Sequence, residues 1–417
     1  MPNIAVISYH SSPLEQPGVG DGGGMNVYVR QLSMAMARQG STVNIFTRAV
    51  SPHDPPVCEI EPGLVVHNVP AGPIRRVPKE QLVKYVQEFS GNVLARINLN
   101  PKLMPDFVHS NYWLSGIVGH KLKHQLGVPN VTTFHTLERV KRLNRLEPDD
   151  ELSEDFRISS EDAIAECSDV VIASCEQEAL DISLHLQVPP ERLKVLGLGV
   201  EHAFFSPGNQ EMARRAVSLP RHAPIVLYVG RIQPLKGLYL AMQAFALLKK
   251  KVPDAYFVVV GGPSGHQGDL ELARCKRFVA DNKIVDSVIW REAEPHLRLA
   301  SYYRSCDVVV VPSRTESFGL VALEAMASGK SVVASSVGGL KSLITHNVDG
   351  FLVPSRSPEA FCLELVRAID NPKDRTVGGN VERYALRRAK QYSWGESARQ
   401  FVGIAQYLMS RQLTECG

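Results

Sequence analysis

Short runs of β-branched and aliphatic residues alternate with helix-period stretches along almost the whole chain, and this alternation restricts the fold more than any other feature. Residues 4–7, 42–46, 65–69, 107–109, 131–134, 170–173 and 194–196 read as strands. Between the first two, Met25, Val29, Leu32 and Met36 fall on one helical face, and Gly40 stops the helix. The pattern pauses at the Pro/Gly-containing connector 199–209 and restarts at 225–230, followed by a helix near 238–250. Further strands are expected at 256–262, 288–290, 308–311 and 331–334. Alternation of this kind gives βαβ units and parallel sheets covered on both faces. The chain therefore reads as α/β with two Rossmann-like, doubly wound halves. A chain of 417 residues exceeds one ordinary core, which agrees with two domains. The expected boundaries are 1–203 and 204–393, with a C-terminal helical segment, 394–417, crossing back to the first half. Ligands of such sheets bind outside the carboxyl ends of the strands, and two sheets facing each other would leave a cleft.

Composition excludes several classes. A hydrophobic content of 44% and a charged content of 21% are those of a soluble globular protein. A formal net charge of +3 gives no case for nucleic acid. The longest apolar runs are strand-length, far below the roughly 20 residues a bilayer requires, so no membrane span is expected. Met1-Pro2 leads directly into the first strand, which is not the pattern of a signal peptide. The 7 cysteines are odd in number and form no CxxC pair, so neither a disulfide nor a zinc site is expected, and Cys167, Cys175 and Cys306 read as small buried hydrophobes. A reducing, cytoplasmic setting follows.

The stretch GDGGGMNVYVRQL, starting at Gly20, crowds glycines ahead of a helix. With Gly18 it matches GxGxxG, the dinucleotide fingerprint. Against a dehydrogenase, Tyr9 to Pro17 intervene between strand and loop, and the second strand ends in Asn44-Ile-Phe-Thr-Arg48 with no acidic residue for a ribose. No nicotinamide-site candidate stands out elsewhere. Glycines before a helix N-terminus still favour an anion, although a plain bend would use the same residues.

The second half carries the more specific signal. Gly230-Arg-Ile-Gln-Pro-Leu-Lys-Gly237 follows its first strand, and Pro312-Ser-Arg-Thr-Glu-Ser-Phe-Gly-Leu-Val-Ala-Leu-Glu324 and Ser336-Val-Gly-Gly339 come later. With Gly22-Gly-Gly-Met-Asn26, these stretches resemble the retaining glycosyltransferases of family 4, which have the GT-B fold. The resemblance runs over essentially the whole chain. It is closest to the inositol-phosphate branch, with sucrose-phosphate and sucrose synthases and aminocyclitol glycosyltransferases as relatives. One departure is Ser331, where the family usually has proline.

The resemblance implies a nucleotide-sugar donor, UDP-linked, and a small polar acceptor. Gly22, Gly23 and Gly24 would let the backbone approach the donor. Arg231 and Lys236 would grip the diphosphate and stabilise the charge of the departing group. Glu324 would accept both ribose hydroxyls, and Glu316 would contact the donor sugar, each oxygen taking a charge-assisted bond. Taken alone, two glutamates at this spacing would read as a solvated face. A helix over 319–328 would present backbone N–H groups near Ser317, Phe318, Gly319 and Leu320 to sugar or phosphate. His135, at the end of a strand in VTTFHTL, would border the donor sugar. Retention would need no protein nucleophile, because the leaving phosphate can take the acceptor proton. No DxD-like pair is placed to bring a metal, and Asp149-Asp150 reads as solvated. No cofactor is required, and magnesium is allowed but not needed.

On the acceptor side, the inositol-phosphate branch places its phosphate ligands at Lys79, Tyr112, Thr136 and Arg157, with Asn26 on the cyclitol. Lys, Arg and two hydroxyls make a sound phosphate clamp. The alternatives are an aminocyclitol glycosyltransferase and, from another class, a non-catalytic sugar-nucleotide-binding protein. A homodimer is allowed.

Overall fold

A computed structural model describes the chain apart from residues 19–21, 145–150, 266, 371–380 and 417 and the side chains of 80 and 151–154. Gly20 and Asp21 of the glycine stretch and the Asp149-Asp150 pair therefore lie outside the described residues. The chain forms two compact units, Met1–Glu15 with Met25–Gly199 and Trp394–Gly417, and Gln16–Gly24 with Val200–Ser393. The sequence reading put residues 16–24 and 200–203 in the first domain; their contacts assign them to the second.

The first unit holds β1 (Asn3–Ile7), β2 (Thr42–Arg48), β3 (Val57–Glu61), β4 (Leu64–Val69), β5 (Phe107–Asn111), β6 (Asn130–Thr133), β7 (Val170–Ala173) and β8 (Leu193–Val195). Their order is β3-β4-β2-β1-β5-β6-β7-β8, all parallel except the β3–β4 hairpin. β5, β6 and β7 are buried at every position, which is why they read as continuous apolar or small-polar runs. β3 was not expected: VCEIE is a half-exposed edge strand whose two glutamates break the apolar run. The helix Gly24–Arg38 buries Val29, Leu32 and Met36 on its inner face. The helix Trp394–Met409 returns to this unit, with Phe401 against His109 at 4.5 Å and Ser397 Oγ donating to the Gly197 carbonyl at 2.7 Å.

The second unit holds β9 (Ile225–Val229), β10 (Tyr256–Val260), β11 (Val288–Arg291), β12 (Val308–Val311), β13 (Ser331–Ser335) and β14 (Phe351–Val353), all parallel, in the order β11-β10-β9-β12-β13-β14. Numbered within the unit this is 3-2-1-4-5-6, the doubly wound order whose ligand crevice opens where the winding reverses. The reversal falls between β9 and β12. In the first unit it falls between β1 and β5. β14 escaped the sequence reading because three residues leave no periodicity to detect. No helix among the described residues is long and apolar enough to cross a membrane.

One expectation about cysteine is corrected. Cys167, which ends the helix Glu151–Cys167, is disulfide-paired with Cys416 in the C-terminal tail. The partners are 249 positions apart, so no local spacing reveals them. The tail is brought there by polar contacts: Lys123 Nζ donates to the Thr414 carbonyl at 2.8 Å, and the Thr414 N–H donates to Asp169 at 2.6 Å.

Three histidines of the first unit are held as neutral rings, His67 and His109 buried and His135 half-buried. Burial, and then the neighbouring His135, push His109 down to about 3; burial and Arg96 push His67 down to about 4. Burial and His10 bring His135 itself down to about 3. The unfolded chain takes up these protons below about pH 6.5, whereas the folded chain does not until about pH 3–4. Stability is therefore present above that range and lost as pH falls through it, by roughly 1–2 kcal/mol per histidine at pH 5. The urea midpoint of unfolding should drop clearly between pH 7.5 and pH 5; an unchanged midpoint would show that these rings are protonated in the fold.

Candidate active site

The loops leaving β9 and β12 lie on either side of the winding reversal in the second unit, where their backbones pack closely. Gly237 ends the turn Pro234–Lys236 with a φ of 73°, and a Cβ there would lie 2.1 Å from the Pro312 carbonyl oxygen. Gly338 has a φ of 46°, and its Cβ would lie 2.0 Å from the Glu316 carbonyl oxygen. That same carbonyl accepts the Gly339 N–H at 2.8 Å. The glycine pair in SVGG thus holds the segment that carries Glu316, Ser317 and Phe318.

This packing brings Lys236 and Glu316 together. Lys236 Nζ donates to Glu316 Oε2 at 2.7 Å, and Ser313 Oγ donates to the same oxygen at 3.1 Å. Both charged side chains remain partly open to solvent, with 28% and 18% exposure. Arg231 leaves the same β9 loop, and its Nε would lie 3.4 Å from a Cβ on Gly23. Gly22 shares that segment, its carbonyl accepting the Gly18 N–H at 2.9 Å, and Gly24 lies beside Leu320. Gly319 precedes the helix Leu320–Ala327, slightly shorter than the expected 319–328.

Glu324 points inward from that helix and is 4% exposed. Its Oε1 meets His296 Nε2 at 2.6 Å and its Oε2 accepts the Tyr303 hydroxyl at 2.8 Å. Each carboxylate oxygen offers two acceptor sites, so both keep capacity for a further donor. Tyr303 is fully buried, and burial beside the Glu324 carboxylate pushes its hydroxyl far above the ordinary range, leaving it a fixed proton donor.

In the first unit three of the expected acceptor residues form one cluster. Arg157 Nη1 donates to the Tyr112 hydroxyl at 3.0 Å, and Nη2 donates to the Thr136 carbonyl and hydroxyl at 2.9 and 3.2 Å. Its Nε donates to Glu161 at 2.7 Å, and Nη1 pairs with Glu138 at 2.9 Å. Burial works against the guanidinium charge, but Tyr112, Glu161 and Glu138 outweigh it and hold the group above its ordinary value. Two carboxylates thus meet one arginine. Tyr112 itself has a φ of 77° at the start of the helix Trp113–Leu126, directly after β5. Lys79 opens the turn Lys79–Tyr85 and is half-buried. Asn26 is buried, its amide donating to Ser11 Oγ and to the Ser12 carbonyl, both at 2.7 Å, which ties the helix to the loop after β1.

His135 follows β6 with a φ of 63°, and its Nε2 meets Asn111 Oδ1 at 3.0 Å while Tyr28 packs edge-on at 4.9 Å. A neutral imidazole in a strained backbone conformation can offer a hydrogen bond, not a positive charge.

Known proteins resemble the chain over nearly its whole length. Residues 23–199 match the glycosyl transferase 4-like domain model, and residues 209–382 match the model of glycosyl transferases group 1. The D-inositol 3-phosphate glycosyltransferase of Thermobispora bispora is 37% identical over 405 residues, covering 96% of this chain and 94% of that protein. The chain belongs to glycosyltransferase family 4. The protein of the same name from Mycolicibacterium gilvum is 40% identical over 395 residues, covering 94% and 87%. Among solved structures, the sucrose-phosphate synthase of Thermosynechococcus elongatus superposes with a TM-score of 0.87 at 32% identity, covering 98% of this chain and 99% of that one. The two α/β units are those of the GT-B fold.

Within this glycosyltransferase, sequence reading missed His296, Tyr303 and Ser313 around the two glutamates, and Glu138 and Glu161 around Arg157. Ser313 stands inside the PSRTE motif, and Glu161 lies one helical turn from Arg157, so both had a local signal. His296 and Tyr303 precede Glu324 by 28 and 21 positions and had none.

If the glycine pair holds the Glu316 segment, Gly338→Ala should lower turnover by on the order of 10²-fold, the usual cost of displacing a site group by about 1 Å. Gly91→Ala, where a Cβ meets nothing within 4 Å, is the control and should leave turnover unchanged. Equal activity of the two variants would refute the assignment.

Proposed function

We propose that the chain moves a hexose or N-acetylhexosamine from a UDP-sugar to a phosphorylated cyclitol or sugar, with retention at the anomeric carbon and with no metal taking part in the transfer. The observation that carries the donor half is the trio Arg231, Lys236 and Glu316 at the winding reversal of the second unit. A nucleoside diphosphate gains negative charge on its bridging oxygen as it leaves, and cations already in place there lower the barrier. Lys236, held by Glu316, is oriented without being buried, so a diphosphate can share it. Glu324, aligned by Tyr303 and His296, has the acceptor capacity a ribose diol needs. Glu316 takes a hydroxyl of the donor sugar, and the neutral His135 has a hydrogen bond rather than a charge to offer a substrate.

In the transfer step the acceptor oxygen forms its bond to the anomeric carbon on the face from which the nucleoside diphosphate departs. The departing phosphate oxygen takes the acceptor's proton. Fixed cations supply the charge that a metal would otherwise provide.

The acceptor half follows from the names of the relatives, D-inositol 3-phosphate glycosyltransferase and sucrose-phosphate synthase, together with Lys79, Tyr112, Thr136 and Arg157. Arg157 positions the Tyr112 and Thr136 hydroxyls, and Lys79 is the second cation offered to the phosphate, with Asn26 on the ring.

The test compares phosphorylated and free cyclitols on the wild type and on Lys79→Ala. A lost charge-assisted bond should raise the KM for the phosphorylated acceptor roughly 10–100-fold and leave the donor KM unchanged. Wild-type preference for a free aminocyclitol, a cation that Lys79 would repel, would overturn the phosphate reading and leave the aminocyclitol alternative.

A further inference from the structure

Outside the transfer machinery, four metal-ligating side chains converge at one end of the first unit. His120 and His124 lie one turn apart on the helix Trp113–Leu126, with ring centroids 4.8 Å apart. His124 Nε2 lies 3.3 Å from Cys167 Sγ and 3.0 Å from Cys416 Sγ. One ligand atom from each of His120, His124, Cys167 and Cys416 falls within 4.8 Å of all the others. Glycosyl transfer calls for none of these residues.

The arrangement does not depend on the sulfur–sulfur pairing alone. Lys123, 1% exposed, donates to the Cys167 carbonyl at 2.7 Å, to Asp169 at 3.0 Å and to the Thr414 carbonyl at 2.8 Å. Asp169 in turn accepts the N–H groups of Asn130 at 2.8 Å and Thr414 at 2.6 Å. This buried ion pair fixes the backbone two residues before Cys416 and the carbonyl of Cys167. Both sulfurs are therefore delivered to the two imidazoles by polar contacts of other residues.

We propose that His120, His124, Cys167 and Cys416 form a structural zinc site that clasps the C-terminal tail onto the helix Trp113–Leu126. Two histidines at i and i+4 on one helical face with two cysteines are a tetrahedral Cys2His2 donor set, and zinc is the ion such N/S sets favour. A disulfide uses the two cysteines, with His124 at most a weak hydrogen-bond partner of the sulfurs; a metal uses all four residues. Two thiolates also neutralise the dication, which suits a site where Cys167 is buried.

The site binds metal as the dithiol. Starting from the disulfide, two equivalents of a small thiol supply two electrons and two protons, becoming a disulfide themselves and leaving two cysteine thiols. Zn(II) then displaces one proton from each thiol, and each histidine contributes a neutral ring nitrogen. Sequence reading missed the site because its two halves lie far apart in the chain and neither has the CxxC spacing of a zinc motif.

The test is titration of the reduced, full-length protein with Co(II), which reports its own coordination. One equivalent should give the visible d–d bands of tetrahedral cobalt and a thiolate-to-cobalt charge-transfer band, and Zn(II) should displace it. His124→Ala and Cys416→Ser should each weaken Co(II) binding by at least about 100-fold, more than the 10–100-fold typical of losing an outer partner of a ligand. His185→Ala, in the helix Glu176–Leu186, should leave it unchanged. Cys416 lies in the tail beyond the last helix, so its variant keeps the core, and circular dichroism checks this. Bound zinc should also protect the tail from carboxypeptidase in the wild type but not in Cys416→Ser. Failure of the reduced protein to bind Co(II), or binding that survives both ligand variants, would overturn the proposal and leave a disulfide alone.

Discussion

The second unit, which we read as the donor side, rests on a backbone contact rather than on a side chain. At the winding reversal of the second unit, the Glu316 carbonyl occupies the space a side chain on Gly338 would need, and it accepts the Gly339 N–H. Gly237 makes the matching approach to the Pro312 carbonyl from the β9 loop. With these carbonyls fixed, Lys236 and Glu316 meet at 2.7 Å. Rigid, glycine-permitted loop packing of this kind preorganises charged groups before any ligand arrives, so little reorganisation remains for the moment of reaction.

The cations are held differently in the two units. In the second, Lys236 pairs with Glu316 and both stay partly open to solvent, with Arg231 in the same β9 loop. In the first, Arg157 meets Glu138 and Glu161, Lys141 also pairs with Glu138 at 3.8 Å, and the arginine's donors are used within the protein. An arginine in that position is a scaffold for the hydroxyls of Tyr112 and Thr136, and removing it would take a buried cation away from two buried carboxylates. The neutral histidines differ from both: His109 and His135 are kept uncharged because enclosure would strip a charged ring of its hydration.

Much of this was legible in the sequence, for identifiable reasons. Strands buried on both faces, such as Val308–Val311 and Val170–Ala173, appear as uninterrupted β-branched runs that admit no other reading. The charged edge strand Val57–Glu61 and the three-residue Phe351–Val353 do not, because exposure and brevity erase the pattern. Arg231 and Lys236 sit in one contiguous motif and Glu316 and Glu324 in another, so each pair could be named from the sequence through the family resemblance that the motifs carry. Tyr303 and His296 reach Glu324 only through the packing of the helix Leu299–Ser305 and the turn before it, a tertiary fact with no local spacing. The Cys167–Cys416 pairing was read wrongly for the same reason, since the tail is positioned by Lys123 and Asp169 rather than by neighbours in sequence.

The central claim is that this family 4 glycosyltransferase transfers sugar on the face its leaving group vacates, with the groups of the β9 and β12 loops assisting departure. The most direct measurement is the proton NMR spectrum of the product formed from an α-linked UDP-sugar and a phosphorylated cyclitol, read at the anomeric proton before any mutarotation or hydrolysis. The account predicts an α-linked product with a small anomeric coupling. A β-linked product, with its large coupling, would contradict it.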